Sequence, residues 1–343
     1  MVWIKSWFTR CIPNLRGLAR HLRLDSLMNF RHLKSFMTRA LFHLAVASFL
    51  VSANARAAGD VVTPPTPAAP PTLSTTHENL PFEIHSAFED GIASGAITAR
   101  LDFSVAVVSA ALWTPAAWCE FVTLHLNVKG CVYHDVNTGD ENAGGGPHRG
   151  IIVYSGHKAY QTLAGAYALD YDFAASQPSP TERRVTLSAA RGPIGTKDYR
   201  IEVMLRDVAS GATELHITYQ YHVSTLARLS FDTYLATAGA RKVGFTVIAR
   251  DEAGRPVYVD GERGVMERNA MRYYLAIQAY LEGRAVPAAQ RAEWMTARWF
   301  DLTEQYALQL HEITRTEYLA NKRREFQQQS TQQATLNSRN GRQ

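Results

Sequence analysis

Cysteine is scarce in this chain, three residues in 343, and none of the three has the neighbouring cysteine or histidine spacing that a zinc site draws on. Nucleophile signatures are missing as well. No Gly-x-Ser-x-Gly turn occurs, and neither Cys119 nor Cys131 has a partner histidine in a recognisable setting. Gly144-Gly145-Gly146 is followed by no Gly-Lys-Ser/Thr and opens no helix, so it reads as a flexible loop and not as a phosphate cradle. His134, Asp135, His148 and His157 lie near that loop but match no familiar ligand set, and they read as scattered surface residues. Nor is there a long apolar run: residues 40–51 form a stretch of about twelve, and a bilayer needs roughly 20.

That short run has a meaning of its own. Arg31, Lys34 and Arg39 precede it, and Ala53-Asn54-Ala55 and Ala55-Arg56-Ala57 follow it, which is the order of an export signal. Cleavage is expected after Ala57, with Ala55 as the second choice, and a start at Met28 or Met37 would give a leader of ordinary length. Residues 1–57 carry nine Lys or Arg against one acid, Asp25. The rest of the chain has 27 basic and 30 acidic residues, so the +5 of the whole sequence becomes about −3. Nucleic-acid binding then loses its electrostatic footprint. The expected address is the periplasm or the medium, with no transmembrane segment in the mature chain. Disulfides form in such a compartment, where Cys119 and Cys131 are either a bridge or two buried thiols. A bridge would contribute roughly 3 kcal/mol.

Residues 58–76 are a Pro, Thr and Ala tract that reads as an extended linker, and residues 326–343 are Gln, Ser, Thr and Asn rich and read as a disordered tail. The folded domain is expected over 77–283, with a helical extension over 284–325. Within the domain, residues 96–103 alternate as a strand does, and helices follow from Ser104 to Leu112 and from Pro115 to Leu126. Strands are then predicted over 150–155, 162–173, 184–190, 199–208, 214–224 and 242–250. Short connections between them imply an antiparallel meander. From Glu262 to Leu281 the period returns to helical, with Met266, Ala270, Tyr273, Tyr274, Ile277 and Leu281 on one stripe. Strand, two short helices, a run of strands and one long helix is the order of an α+β helix-grip fold: a curved antiparallel sheet of about six or seven strands wrapped round the helix. A sheet curved in this way leaves a cavity against the helix.

Three segments carry a resemblance. They are Trp118-Cys119 through Leu124-His125-Leu126-Asn127-Val128-Lys129-Gly130-Cys131, then Lys242-Val243-Gly244-Phe245, and Gly264 through Glu267-Arg268-Asn269-Ala270-Met271-Arg272-Tyr273-Tyr274. Over about 81–325 the chain resembles exported proteobacterial proteins of the START-like (SRPBCC, helix-grip) superfamily, a group named by its fold and not by an activity. The resemblance implies binding of a lipid or other apolar molecule, with some members of the wider group acting as cyclases or hydroxylase subunits.

The candidate site follows from placing side chains on that frame. Arg268 and Arg272 lie one helical turn apart and either grip one anionic headgroup at the cavity rim or pair with Glu267, Asp170 and Asp172. Asn269 and Tyr273 share that helix, and Tyr219 and Tyr221 face inward from their strand, either as ligand contacts or as core aromatics. Asp170 and Asp172 should face solvent. The expected function is binding of a hydrophobic or amphipathic, lipid-like ligand as carrier or sensor, without metal or organic cofactor. The alternatives are a cell-envelope interaction module whose partner surface is residues 294–318, and a cofactor-free cyclase or hydrolase.

Overall fold

The computed structural model describes residues 81–136, 148–208, 211–235 and 241–340. The leader, the linker and the Gly144-Gly145-Gly146 loop lie outside the described residues.

The described chain opens with β1 (Phe82–Glu89) and β2 (Ile92–Leu101), then α1 (Val105–Leu112) and α2 (Pro115–Phe121). Each short helix has a hydroxyl cap: Ser104 accepts from Val107 N, and Thr114 accepts from Ala117 N ahead of Pro115 in the first turn. Six strands follow: β3 (Val128–Val136), β4 (His148–Ser155), β5 (Tyr167–Ser179), β6 (Glu182–Arg191), β7 (Lys197–Val208) and β8 (Ala212–His222). After them come α3 (Thr225–Leu235), a hairpin of β9 (Val247–Arg250) and β10 (Pro256–Tyr258), the long α4 (Gly261–Gly283), α5 (Ala288–Glu304), α6 (Ala307–Leu310) and α7 (Arg315–Asn340).

The main sheet has eight strands in the order β1-β2-β8-β7-β6-β5-β4-β3, every pair antiparallel. This is the expected α+β helix-grip arrangement, with more strands than expected. Residues of period two build its inner face. Gly95 lies opposite Tyr219, Tyr219 opposite Ile201, Ile201 opposite Leu187, and Leu187 opposite Phe173, which makes one row across five strands. Asp170 and Asp172 are exposed on the outer face of β5, as the alternation requires. Helix α4 lies across β1, β2 and β8, and α2 across β3 and β4. Close approach of α4 depends on Gly95, where a Cβ would stand 3.1 Å from that of Met266.

Three expectations are corrected. Strands β1 and β3 were not expected; β3 is buried on both faces from Val128 to Val132, so it shows no alternation. The strand expected over 242–250 is reduced to β9, outside the main sheet. Upstream of β9 the backbone serves other partners: Gly244 N donates to Val259 O at 2.6 Å, and Phe245 N and Thr246 N donate to Glu267 Oε2 at 2.6 and 2.9 Å. Last, the tail expected to be disordered from residue 326 is the second half of α7.

Helix α7 is held by polar groups. Lys322 Nζ donates to His125 O (2.9 Å), Val128 O (2.7 Å) and Glu325 Oε2 (2.8 Å), while Lys129 Nζ donates to Leu126 O (2.7 Å) and Glu325 Oε1 (2.9 Å). Burial pulls Lys322 down to about 8 despite its acidic partner, so it stays charged at neutral pH. One turn on, Gln329 Oε1 accepts from Cys131 N and Gln333 Oε1 from Tyr133 N, both at 2.9 Å, and Gln333 Nε2 donates to Tyr133 O at 3.0 Å. These glutamines take the place of a ninth strand along the open edge of β3.

Candidate functional site

Between the inner face of the sheet and helices α2 and α4 lies a cavity of about 30 Å³. Trp118, Phe121 and Val122 wall it from the α2 side, and Tyr273 and Ile277 from α4. Its floor is Ile151, Val153, Tyr171, Leu187, Ile201, Val203 and Ile217, from five consecutive strands of the sheet. The space has room for one or two water molecules, and its lining is almost wholly apolar. The Cys119–Cys131 disulfide, with Cα atoms 5.0 Å apart, ties the α2 wall to edge strand β3. Trp118 is fixed by its indole N–H, which donates to Leu112 O at 2.9 Å.

Tyr171 and Tyr273 line this cavity, and three further tyrosines pack against them. Tyr199 and Tyr221 stack with centroids 4.9 Å apart, Tyr219 lies 5.5 Å from Tyr221 and 6.4 Å from Tyr273, and Tyr171 meets Tyr199 edge-on at 6.4 Å. Among the described residues, only the Tyr199 hydroxyl of these five has a protein hydrogen-bond partner, Thr196 Oγ1 at 2.7 Å. Burial pushes all five phenols up, Tyr199 and Tyr273 to about 12 and the others further, and the hydroxyls near Tyr219 reinforce the rise there. All five are therefore neutral at physiological pH. The group thus supplies neutral phenols and no phenolate base, with Tyr171 and Tyr273 facing the space.

Of the residues picked out by sequence, Tyr219, Tyr221 and Tyr273 come together here. Arg268 and Arg272 are buried but turn away from the sheet. Arg268 Nη1 donates to Val243 O at 3.1 Å; Arg272 Nη2 donates to Glu312 Oε1 at 3.1 Å and approaches Leu310 O at 3.4 Å. The acid that Arg272 meets is thus Glu312, not Glu267, Asp170 or Asp172. Glu267 instead accepts from Ser86 Oγ and Thr246 Oγ1, both at 2.7 Å, and from the two amides named above. Asn269 lies beside the His125 ring, which stacks on Tyr273 at 5.1 Å. Burial holds His125 well below the usual histidine range, helped by Arg272 and Lys322, so its imidazole is neutral. His125, Tyr171, Tyr199 and Glu312 were not among the site residues expected from the sequence. The alternation of β5 and β7 was the signal for the two tyrosines.

The segment expected as a partner surface, residues 294–318, mixes buried anchors with exposed positions that include Trp294 and Leu308. Trp299 and Tyr318 are buried and stacked at 5.1 Å, with Trp299 Nε1 donating to Arg272 O at 3.1 Å and the Tyr318 hydroxyl to Leu124 O at 2.7 Å. Trp294 remains exposed.

No protein-family model matches the sequence, and no curated protein matches it. Solved structures are similar to it. A STAR-related lipid transfer protein from Xanthomonas axonopodis is 9% identical, over 61% of this chain and 98% of that one, with a TM-score of 0.37. A Streptomyces aromatase/cyclase is 12% identical over 58% and 98%, at 0.32, and human StAR-related lipid transfer protein 5 is 7% identical over 60% and 88%, at 0.31. At TM-scores of this size the likeness carries no inference about ligand or activity. Among the described residues no single helix is long and apolar enough to cross a membrane.

Proposed function

We propose that the protein binds an apolar or amphipathic, lipid-like molecule between the sheet and α4, and serves as an exported carrier or sensor. One observation carries this reading: the rings of Tyr171 and Tyr273 line an apolar cavity between sheet and helix, and Tyr199, Tyr219 and Tyr221 pack against them. A phenol presents an apolar ring with a polar tip, so a tyrosine-rich wall suits a guest that brings apolar bulk and polar contacts together. The cavity is small, so uptake requires α2 and α4 to part. Export is supported by the leader pattern and by the Cys119–Cys131 bridge. Organic extraction of protein purified from the periplasm, followed by mass spectrometry, should release a bound lipid. An empty extract from protein that also takes up no fluorescent fatty acid overturns the proposal.

The cavity volume favours a second reading, an envelope interaction module whose interior is filled by its own side chains. Retention of a partner by a cavity-filling Ile217→Phe variant, in protein whose extract is empty, would support it.

A further inference from the structure

We propose that Lys158, Lys242 and Arg272 form a carboxylate-binding site, and that Glu312 is its internal occupant, displaced when a ligand carboxylate arrives. The three cations come from separate parts of the fold: the β4–β5 connection, the segment ahead of β9, and α4. They reach one carboxylate at 2.8, 2.9 and 3.1 Å respectively. Among the described residues, this one carboxylate serves all three cations.

Solvent exposure is graded across the cluster. The side chains of Arg272 and Glu312 are 6% and 10% exposed, while that of Lys158 is 50% exposed. An anion can therefore enter along Lys158 and meet a guanidinium held in a drier setting, where charge-assisted bonds are strong. Three cations hold Glu312 near 2 against the rise that burial causes, so it stays ionised and fills the site as a carboxylate. It also sits in the turn between α6 and α7, outside both helices, so it can leave without unwinding either.

The cluster and the cavity draw on consecutive residues of α4. Arg272 holds Glu312, and Tyr273 lines the cavity. A fatty-acid-like anion would place its chain among the aromatics and its carboxylate where Glu312 now lies. The chain's position rests on the cavity reading; the carboxylate site does not.

Two arms test this. In Glu312→Ala, acetate should raise the melting temperature saturably, while chloride at equal ionic strength should not; in the wild-type protein the tethered carboxylate should make acetate ineffective. Should Glu312→Ala fail to fold, Glu312→Ser, whose short side chain also leaves the three cations open, serves for the same titration. The second arm compares dodecanoate with dodecanol on wild-type protein. Dodecanoate should bind about ten-fold tighter, and a Lys158→Gln/Lys242→Gln variant should lose the preference. Acetate and chloride acting alike on the Glu312 variants overturns the site, and the cavity reading survives if both twelve-carbon probes still bind. Acetate rescue with both probes bound equally overturns displacement of Glu312. Acetate rescue with neither probe bound supports the site and removes the cavity reading.

Discussion

At the scale of single residues, Glu267, Glu312, Lys322 and Glu325 are each committed to specific partners, which makes their removal informative. Glu312 has its folded value lowered to about 2 from an ordinary 4.5. Its stabilising contribution is thus fully present above pH 4.5 and is lost as pH falls towards 2, on the order of 2–3 kcal/mol. Urea unfolding of wild-type protein and Glu312→Gln should show the gap between them closing over that window, and a gap independent of pH would contradict the assignment. Gly244 is a second such position. A Cβ there would lie 2.5 Å from Glu267 Oε2, 2.8 Å from Val259 Cγ1 and 3.1 Å from Gly264 Cα. Gly244→Ala must therefore push the segment off α4, break the amide bonds to Glu267 and cost about 2 kcal/mol or more in a denaturant titration.

At the scale of elements, the helices and strands that bury one face were readable and those fixed by polar contacts were not. The alternation in β5, β7 and β8 and the apolar stripe of α4 carry their own signal, and they placed Tyr219, Tyr221 and Tyr273 on the inner face. Strand β3 hides because both of its faces are covered and Lys129 interrupts its apolar run. The second half of α7 hides because glutamines, not leucines, hold it, and a composition of Gln, Ser and Thr is also that of disordered chain. Arg268 and Arg272 show the other limit: their spacing on the helix was evident, but Glu312 comes from a turn about forty residues away. Two predictions belong here. Reducing the Cys119–Cys131 bridge, a link across 12 positions, should cost roughly 3 kcal/mol when unfolding is compared with and without reductant. Gln329→Ala/Gln333→Ala should uncover the β3 edge, so that sedimentation velocity shows concentration-dependent self-association while wild-type protein does not; a monomeric double variant would mean that the glutamines do not guard this edge.

At the scale of the whole molecule, the order of elements indicated the sheet and its long helix, since consecutive antiparallel strands joined by short turns leave few topologies. Whether the interior is open is decided by side-chain volumes that no periodicity reports. Export is the remaining prediction at this scale: protein from the envelope fraction should begin at Ala58 by N-terminal sequencing, and an intact leader on folded protein would contradict cleavage. The glutamine ladder also bears on the timing of assembly. Gln329 meets Cys131 across 198 positions, so β3 is synthesised long before the helix that shields it. During that interval the short loop between Cys119 and Cys131 can close at little entropic cost, holding β3 to α2 while its outer edge waits. A chain crossing a membrane from its N-terminus would thus spend its most aggregation-prone stage with an early covalent anchor and a late polar cover, and the arrival of α7 would end its exposure.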